Sequence, residues 1–218
     1  SDGACGHDLY YSGDFGKSWI NLTERSKHRI ASFVDFDWAP SQADQKPGIM
    51  ATVYEDLDHF ASGGYGWDYN VHFVYSEDLF ASPHEKLMKC GNAFEILNKD
   101  VYVAKVADCE EYHASADKDP SKFTGSQVSL QISTDGGRKF NQACFPVSMD
   151  QNGYTIFDWN EDVAGPDFIV VDHDEEDEIE RAAPIGNIYS SDASGQLYSL
   201  SMRRTIYLGG AVDFINVE

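Results

Sequence analysis

One turn pattern, S-x-D-x-G-x-x-aromatic, occurs twice in this sequence, and we call it the Asp box. Its two copies are Ser12, Asp14, Gly16 and Trp19, and Ser133, Asp135, Gly137 and Phe140. In such a turn the carboxylate accepts backbone N–H bonds, the glycine supplies a positive φ, and the aromatic side chain fills the gap beside the next sheet. The pattern therefore predicts a structural hairpin turn and no catalytic role.

Two weaker copies turn the pattern into an internal repeat. YSEDLF contains Ser76 and Asp78 without the glycine, and YSSDASGQLY contains Ser190 and Asp192 with Gly195 displaced and Tyr198 as the aromatic residue. Successive aspartates are then 64, 57 and 57 residues apart, which is typical of one propeller blade with its loops. The sequence predicts an all-β chain of consecutive propeller blades, with boxes near residues 12–19, 76–80, 133–140 and 190–198.

Short runs rich in Val, Ile, Phe and Tyr predict the strands of these blades. They are VHFVY (71–75), FEIL (94–97), VYVAKV (101–106), VSLQIS (128–133), YTIF (154–157) and FIVV (168–171). Helical periodicity is scarce, and turn-forming clusters separate the runs at the short spacing of an antiparallel protein. A chain of 218 residues with 42% hydrophobic content is long enough to bury a core.

The charge of the chain is strongly acidic, with 37 Asp and Glu against 16 Lys and Arg, a net charge of -21. This balance opposes binding to nucleic acid or to anionic membranes and favours basic protein or peptide partners. The run DHDEEDEIE (172–180) could attract basic cargo, although a solvated loop also explains it. The apolar runs are too short to span a bilayer, so we expect any membrane anchor to lie outside this chain.

The four cysteines, Cys5, Cys90, Cys109 and Cys144, form no C-x-x-C pair, and we expect no metal and no cofactor. A two-residue turn at Lys99–Asp100 would place Cys90 opposite Cys109 in one hairpin, which predicts a disulfide unless a bulge changes the register. Cys5 and Cys144 could pair with each other, or Cys5 could have another partner. Asn21 begins the glycosylation sequon Asn21-Leu22-Thr23, compatible with a secretory lumen.

Five segments resemble, in order, the luminal ten-bladed propeller of sortilin-type vacuolar protein sorting receptors. They are CGNAFEIL (90–97), SLQISTDGGRKFNQACFP (129–146), GYTIF (153–157), GNIYSSDASGQLYSLSMRR (186–204) and GGAVDFINVE (209–218). The resemblance covers about four consecutive blades and is clearest from Cys90 onwards. It implies a type I membrane receptor whose luminal propeller carries cargo proteins between Golgi and endosomal or vacuolar compartments, with the remaining blades outside this chain.

The resemblance also implies a peptide-binding site that carries over in part. The matching positions are Lys105, Leu130, Tyr154, Thr155 and Ile156. The family's arginine for a ligand carboxylate is replaced by Val128, and Lys105 could supply a substitute charge, with poorer bidentate geometry than a guanidinium. A place in a blade core is the competing interpretation of Tyr154 and Ile156.

A sialidase-like glycoside hydrolase is the main alternative, because such enzymes also contain Asp boxes. That chemistry needs three arginines converging on a carboxylate and a Tyr–Glu nucleophile pair. The arginines here are Arg25, Arg29, Arg138, Arg181, Arg203 and Arg204. Arg138 lies in a box turn, and RIA around Arg29 departs from the sialidase RIP, so we expect no catalytic residue. A propeller that serves only as a scaffold is the second alternative.

Overall fold

The computed structural model describes residues 8–40, 48–56, 68–97, 99–116, 123, 128–146, 154–157, 168–173, 185–192 and 194–207. For residues 154–157, 168–173, 185–188 and 203–207 it describes the backbone alone. The chain divides into two compact units, residues 1–141 and 142–218, and each is described by itself below. Cys5 and most of the acidic run 172–180 lie outside the described residues.

Strands dominate the described part of the chain. In order they are β1 (Tyr10–Tyr11), β2 (Ile20–Asn21), β3 (Ser32–Trp38), β4 (Ile49–Tyr54), β5 (Val71–Ser76), β6 (Glu85–Lys89), β7 (Gly91–Leu97), β8 (Asp100–Val106), β9 (Val128–Ser133), β10 (Asn141–Gln142), β11 (Tyr154–Phe157), β12 (Phe168–His173), β13 (Ile185–Ser191) and β14 (Tyr198–Tyr207). Two short helices, α1 (Leu22–Arg25) and α2 (Cys109–Ala114), complete the set. All six predicted runs are strands, and the prediction of an all-β chain is confirmed.

The strands form three four-stranded sheets in which sequence neighbours pair antiparallel. The first sheet has the order β3-β4-β5-β6, the second β10-β9-β8-β7 and the third β11-β12-β13-β14. A separate two-stranded sheet, β1-β2, precedes them. Each box sequence lies between the third and fourth strands of its sheet, and the first box connects β1 to β2 in the same way. The repeat in the sequence is therefore also a repeat of strand order.

The turn of the second sheet has the hydrogen bonds that the box pattern predicts. Ser133 Oγ donates to Asp135 Oδ1 at 2.7 Å and accepts the N–H of Gly137 at 2.9 Å. Asp135 Oδ1 also accepts the N–H groups of Arg138 and Lys139 at 3.1 and 3.0 Å. Because these bonds stabilise the ionised carboxylate, the pKa of Asp135 is lowered, with the Ser133 bond as the main cause.

The turn of the first sheet keeps these bonds without a glycine. Ser76 Oγ accepts the N–H of Phe80 at 2.8 Å, although Phe80 has a φ of 63°. The left-handed conformation costs a non-glycine residue about 1–2 kcal/mol. The Phe80 side chain is fully buried and packs edge-on against Phe33 at 5.2 Å, so burial of the ring, worth about 2 kcal/mol, offsets the strain.

The fourth box differs from its prediction. Ser190 Oγ lies 2.6 Å from Ser201 Oγ on the neighbouring strand, and the hydroxyl that donates to Asp192 belongs to Ser194, at 2.8 Å. The assignment of Ser190 as the box serine is therefore wrong. Gly195 has a φ of 67° and occurs one position later than in the strict pattern, so Ser194, two residues after the aspartate, makes the hydroxyl contact.

The aromatic position of the box is filled differently in the two strict copies. Phe140 packs against the first sheet, with its ring 6.2 Å from that of Phe73, as the pattern predicts. Trp19 was expected to fill a gap between sheets, and this is wrong, because its side chain is 62% exposed. Its ring folds back over Gly16, and no sheet among the described residues covers it.

The core of the first unit consists of apolar clusters between successive sheets. On one face of the first sheet, Ile49, Ala51 and Val53 pack with Leu22 and Phe80. On the opposite face, a second cluster joins the first sheet to the second. Its buried members are Met50, Phe73, Met88, Phe94, Val101 and Val103. Adjacent residues of β4 thus serve two different clusters, as the alternation of a strand requires.

Cys90 and Cys109 form a disulfide, with a Cα–Cα distance of 6.0 Å, although the predicted hairpin register is wrong. Leu97 pairs with Asp100 and Ile96 with Val101, so the turn comes one residue earlier than Lys99–Asp100. The observed register pairs Phe94 with Val103 in the buried cluster, whereas the predicted register would have paired Phe94 with Lys105. A register shift between Gly91 and Ala93 and the position of Cys109 at the start of α2 still bring the two sulfurs together.

Two glycine substitutions test how the box turns contact the preceding sheet. Gly16 and Gly137 both have positive φ, 82° and 89°, so alanine should cost each turn about 1 kcal/mol. At Gly137 the new Cβ would also lie 2.5 Å from Met50 Cε, and overpacking should add about 1 kcal/mol. Urea unfolding of Gly16→Ala and Gly137→Ala measures the difference.

The Met50→Ala background provides the control for this comparison. Removing the Met50 side chain relieves the new contact, so the two glycine substitutions should then have equal costs. Equal costs in the presence of Met50 would contradict the packing of the second sheet's turn on the first sheet.

Candidate peptide-binding surface

The register of the second sheet separates two of the predicted ligand-binding residues. Lys105 pairs with Ser129, whereas Leu130 pairs with Ala104, so Lys105 and Leu130 project from opposite faces. Leu130 is 1% exposed and belongs to the core. Lys105 forms an ion pair with Glu110 at 3.4 Å. The structure therefore does not bring these two side chains into one site.

The other predicted site residues lie in different parts of the chain. Val128, at the position of the family's arginine, is buried and pairs with Val106, so no charge projects from that position. Tyr154, Thr155 and Ile156 belong to β11 and pair with Val171, Val170 and Ile169. Their side chains lie outside the description, and their role in ligand binding stays a prediction.

Strand β3 presents a different chemistry on each of its faces. Phe36 pairs with Ala51 and Trp38 with Ile49, whereas Asp37 pairs with Met50. Since paired residues share a face, both aromatic side chains lie on the face of Ala51 and Ile49. Asp35 and Asp37 lie on the opposite face, where Met50 packs against the second sheet, and both aspartates are exposed.

The two aspartates of β3 also bond to the open edge of their own strand. Asp35 Oδ1 accepts the N–H of Phe36 at 2.8 Å, and Asp37 Oδ1 accepts the N–H of Trp38 at 2.6 Å. The bond from Ala39 N to Gly48 O shows that odd-numbered residues face β4 here, so these two N–H groups point away from it. Their carboxylate bonds protect an edge that could otherwise pair with a foreign strand.

A third carboxylate joins this acidic pair from the next sheet. Burial raises the pKa of Glu95 on β7, and the negative charges of Asp35 and Asp37 raise it further. No Lys or Arg of the described ranges forms an ion pair with any of the three. The sequence analysis did not predict this group of carboxylates. The pattern that could have indicated it is the alternation of aspartate and aromatic residues in VDFDW, together with Glu95 on the first strand of the next sheet.

A histidine links the disulfide to the first sheet. His72 is 8% exposed, and its Nδ1 accepts the N–H of Cys90 at 3.3 Å. The His113 ring lies 5.8 Å away. Burial, followed by the Lys86 charge, lowers the pKa of His72 to about 4, while Glu55 acts in the opposite direction. The neutral imidazole is therefore part of the packing around Cys90 and Cys109.

The comparison with protein families agrees with these repeated sheets. A family model described as "Sortilin, neurotensin receptor 3" and named Sortilin-Vps10 matches residues 1–218. This chain belongs to the Sortilin-Vps10 family. Its four-stranded antiparallel sheets are blades of the sortilin-type propeller, and the chain is a segment of that receptor domain. No curated protein matches the chain.

Two arginines of this Sortilin-Vps10 chain have structural roles in a turn, which agrees with membership in a receptor family. Arg29 Nη2 donates to the carbonyl oxygens of Phe80, Ala81 and Ser82 at 3.0, 3.3 and 2.7 Å. Arg25 Nη2 donates to the carbonyl of Asp78 at 3.4 Å. Both guanidinium groups therefore stabilise the box turn of the first sheet and do not converge on an open site.

Other sequence features of the Sortilin-Vps10 chain have local structural roles. Asn21 Oδ1 accepts the N–H of Glu24 and caps α1. The glycosylation of Asn21 stays a prediction. Cys144 is exposed and has no disulfide partner within the described ranges, and its pairing with Cys5 stays a prediction. None of the described helices has the length and apolar character needed to cross a bilayer.

The buried His72 should make stability depend on pH. Its folded pKa of about 4 is below the ordinary 6.5, so the unfolded chain binds more protons and stability is lost as the pH falls from 6.5 towards 4. We expect this group to contribute a loss of about 1–2 kcal/mol between pH 7 and 5. In His72→Asn, whose Oδ1 can accept the Cys90 N–H, that part should disappear. Urea unfolding at both pH values measures it, and equal pH dependence in the two proteins would refute the role of His72.

Proposed function

We propose that this chain is a luminal, cargo-binding part of a sorting receptor that carries proteins between Golgi and endosomal or vacuolar compartments. The family match over the whole chain supports the receptor function. In this proposal the membrane anchor is a transmembrane segment outside the chain, other blades of the same receptor complete the propeller, and no step is catalytic. The cargo is a protein or a peptide segment that contains Lys or Arg.

The proposal of a basic cargo rests on the group of carboxylates formed by Asp35, Asp37 and Glu95. Two edge strands of adjacent sheets, β3 and β7, contribute these carboxylates, and no described cation neutralises them. All three residues are exposed, and partial burial followed by the charges of Asp35 and Asp37 raises the pKa of Glu95. A cationic side chain of the cargo would relieve the repulsion among the three carboxylates.

Acidification should release such a cargo. A bound cation lowers the pKa of the carboxylates that it contacts, so by linkage protonation and cargo binding compete. Affinity is therefore highest at neutral pH and falls as the pH approaches the raised pKa of Glu95. Loss of stability around the neutral His72 acts in the same direction, since it loosens the contact between the first sheet and the Cys90–Cys109 hairpin.

No observation on the described side chains favours a sialidase-like activity, and two of the described arginines, Arg25 and Arg29, are bonded to turn carbonyls. A scaffold that binds no cargo can be distinguished from a cargo-binding receptor by experiment and not by the geometry of the chain. Under that alternative the three carboxylates would contribute solubility only, and basic peptides would bind as weakly as to any acidic surface.

The test is binding of Lys- and Arg-containing peptides to the whole chain, measured by fluorescence anisotropy at pH 7.4 and pH 5.5. Asp35→Asn with Asp37→Asn should weaken binding at pH 7.4 by about threefold to tenfold, because two ion pairs are lost. The amide oxygen can still accept the edge N–H, so the strand should be preserved. A neutral peptide with the same apolar residues should bind weakly to every variant.

The matched control is Glu77→Gln with Glu85→Gln. Both glutamates are exposed residues of the first sheet and its turn, and the pair removes the same net charge. Equal weakening by the two double variants would assign binding to overall charge, and no binding by a folded sample at either pH would favour the scaffold.

A further inference from the structure

The Cys90–Cys109 disulfide lies beside a third side chain of a metal-binding type. Among the described residues, the two sulfur atoms and one ring nitrogen of His113 all lie within 4.8 Å of one another. A zinc ion holds sulfur at about 2.3 Å and imidazole nitrogen at about 2.0 Å, so tetrahedral ligand atoms are about 3.5 to 3.7 Å apart. The three side chains are therefore close enough to bind one ion after a small shift.

Two of the three residues project from the same side of a helix. Cys109 and His113 are four residues apart on α2, and positions i and i+4 of an α-helix are neighbours one turn apart. The H-E-x-x-H motif places two zinc ligands by this same spacing. Cys90, directly after β6, supplies the third group from a separate element. The expectation of no metal was based on the absence of C-x-x-C and did not consider this helical spacing.

The Tyr69 carbonyl determines which nitrogen of His113 is available to a metal. His113 Nε2 lies 3.0 Å from Tyr69 O. Because a carbonyl oxygen only accepts hydrogen bonds, Nε2 carries the proton in the neutral imidazole and Nδ1 keeps its lone pair. Histidines that bind metals commonly donate their other ring N–H to a backbone carbonyl, which fixes the tautomer and the ring orientation. His113 has this second contact.

Packing around Tyr69 holds its carbonyl against α2. The Tyr69 ring stacks on Tyr112 of the helix with the centroids 4.2 Å apart, and its hydroxyl donates to Asp108 Oδ1 at 2.7 Å. Both cysteines are fully buried, whereas His113 is partly exposed. The group is therefore closed on the sulfur side and accessible to an ion from the histidine side.

His72 lies next to this group but does not belong to it. Its Nδ1 accepts the Cys90 N–H at 3.3 Å, and its ring centroid is 5.8 Å from that of His113. The described side chains thus supply three ligands. Water completes a tetrahedral arrangement at zinc sites that have three protein ligands.

We propose that Cys90, Cys109 and His113 bind one Zn²⁺ ion when the chain is reduced. The disulfide and the zinc site are alternatives, since both use the same two sulfurs. A dithiol reductant gives two electrons and two protons to the disulfide and is itself oxidised to a disulfide, which leaves two thiols. Each thiol then releases its proton as its sulfur binds Zn²⁺. This site is independent of cargo binding.

The two forms differ only locally. The Cα atoms of Cys90 and Cys109 are 6.0 Å apart. Rotation about the two Cα–Cβ bonds can separate the sulfurs to the distance of about 3.7 Å that zinc requires, while the strand end and the helix keep their places. Bound zinc would therefore link the end of β6 to α2, as the disulfide does in the oxidised chain.

The experiment titrates Co²⁺ and then Zn²⁺ into the whole chain with Cys5→Ser and Cys144→Ser, so that Cys90 and Cys109 are its remaining cysteines. A phosphine reduces the chain without oxygen, because a dithiol would compete for the metal. We expect one equivalent of Co²⁺ to produce thiolate-to-cobalt charge-transfer absorption, which Zn²⁺ then abolishes by displacement. The oxidised chain should show no such absorption, because it has no thiolate.

The contribution of the histidine is tested by a matched pair of variants. His113→Gln should weaken Zn²⁺ binding to the reduced chain by at least about tenfold, because it removes one of three protein ligands. His28→Gln is the control, since His28 is exposed between α1 and β3, and it should leave the affinity unchanged. Zn²⁺ should also raise the urea midpoint of the reduced chain and not that of the oxidised chain.

Three results would overturn the proposal. The first is a reduced chain that binds no Co²⁺, or that binds it and stays unfolded. The second is equal weakening by His113→Gln and His28→Gln, which would assign the absorption to the two thiolates alone. The third is equal Zn²⁺ binding by the oxidised and reduced chains, which would place the ion on the acidic surface.

Discussion

The bond network between a serine hydroxyl, an aspartate carboxylate and the N–H groups of one turn is the interaction on which the described structure depends. It determines the conformation of the hairpin between the third and fourth strands of a sheet, and it also places that turn in contact with the preceding sheet. Gly137 lies against Met50, and Phe80 enters the cluster around Phe33. Arg29 adds three bonds to carbonyls of that turn. The turn is thus both a hairpin and a contact between sheets.

Much of the fold could be predicted because local chemistry determines it. Apolar and polar residues alternate along the strand runs, and the box residues form the hydrogen bonds that their pattern predicts, as at Ser133 and Asp135. The errors occur where a competing contact decides. The β7-β8 turn lies one residue earlier than predicted because Phe94 pairs with the apolar Val103 and not with Lys105, and Ser194 makes the hydroxyl contact expected of Ser190 at the fourth box. The exposure of Trp19 depends on which sheets surround it, and no local pattern in the sequence contains that information.

The candidate site was less predictable, because it depends on register between distant strands. Lys105 and Leu130 are close in an alignment, yet pairing with Ser129 and Ala104 places them on opposite faces. Asp37 and Glu95 are far apart in the sequence and become electrostatic neighbours only when β3 and β7 form edges of adjacent sheets. Asp35 and Asp37 therefore have two roles: they contribute charge to the acidic group, and they accept the N–H groups on the open edge of β3.

The turn network is tested most directly by a carboxyl NMR titration of the chain labelled with ¹³C at aspartate Cγ. We expect Asp78 and Asp135 to titrate below the ordinary pKa of 3.8, because bonds from Ser82 lower the pKa of Asp78 and the bond from Ser133 lowers the pKa of Asp135. The stability that these bonds supply should then be present above pH 3.8 and lost as the pH falls through the lowered pKa values. Titration of both residues at or above 3.8 in the folded chain would contradict the turn network from which the packing of the sheets is derived.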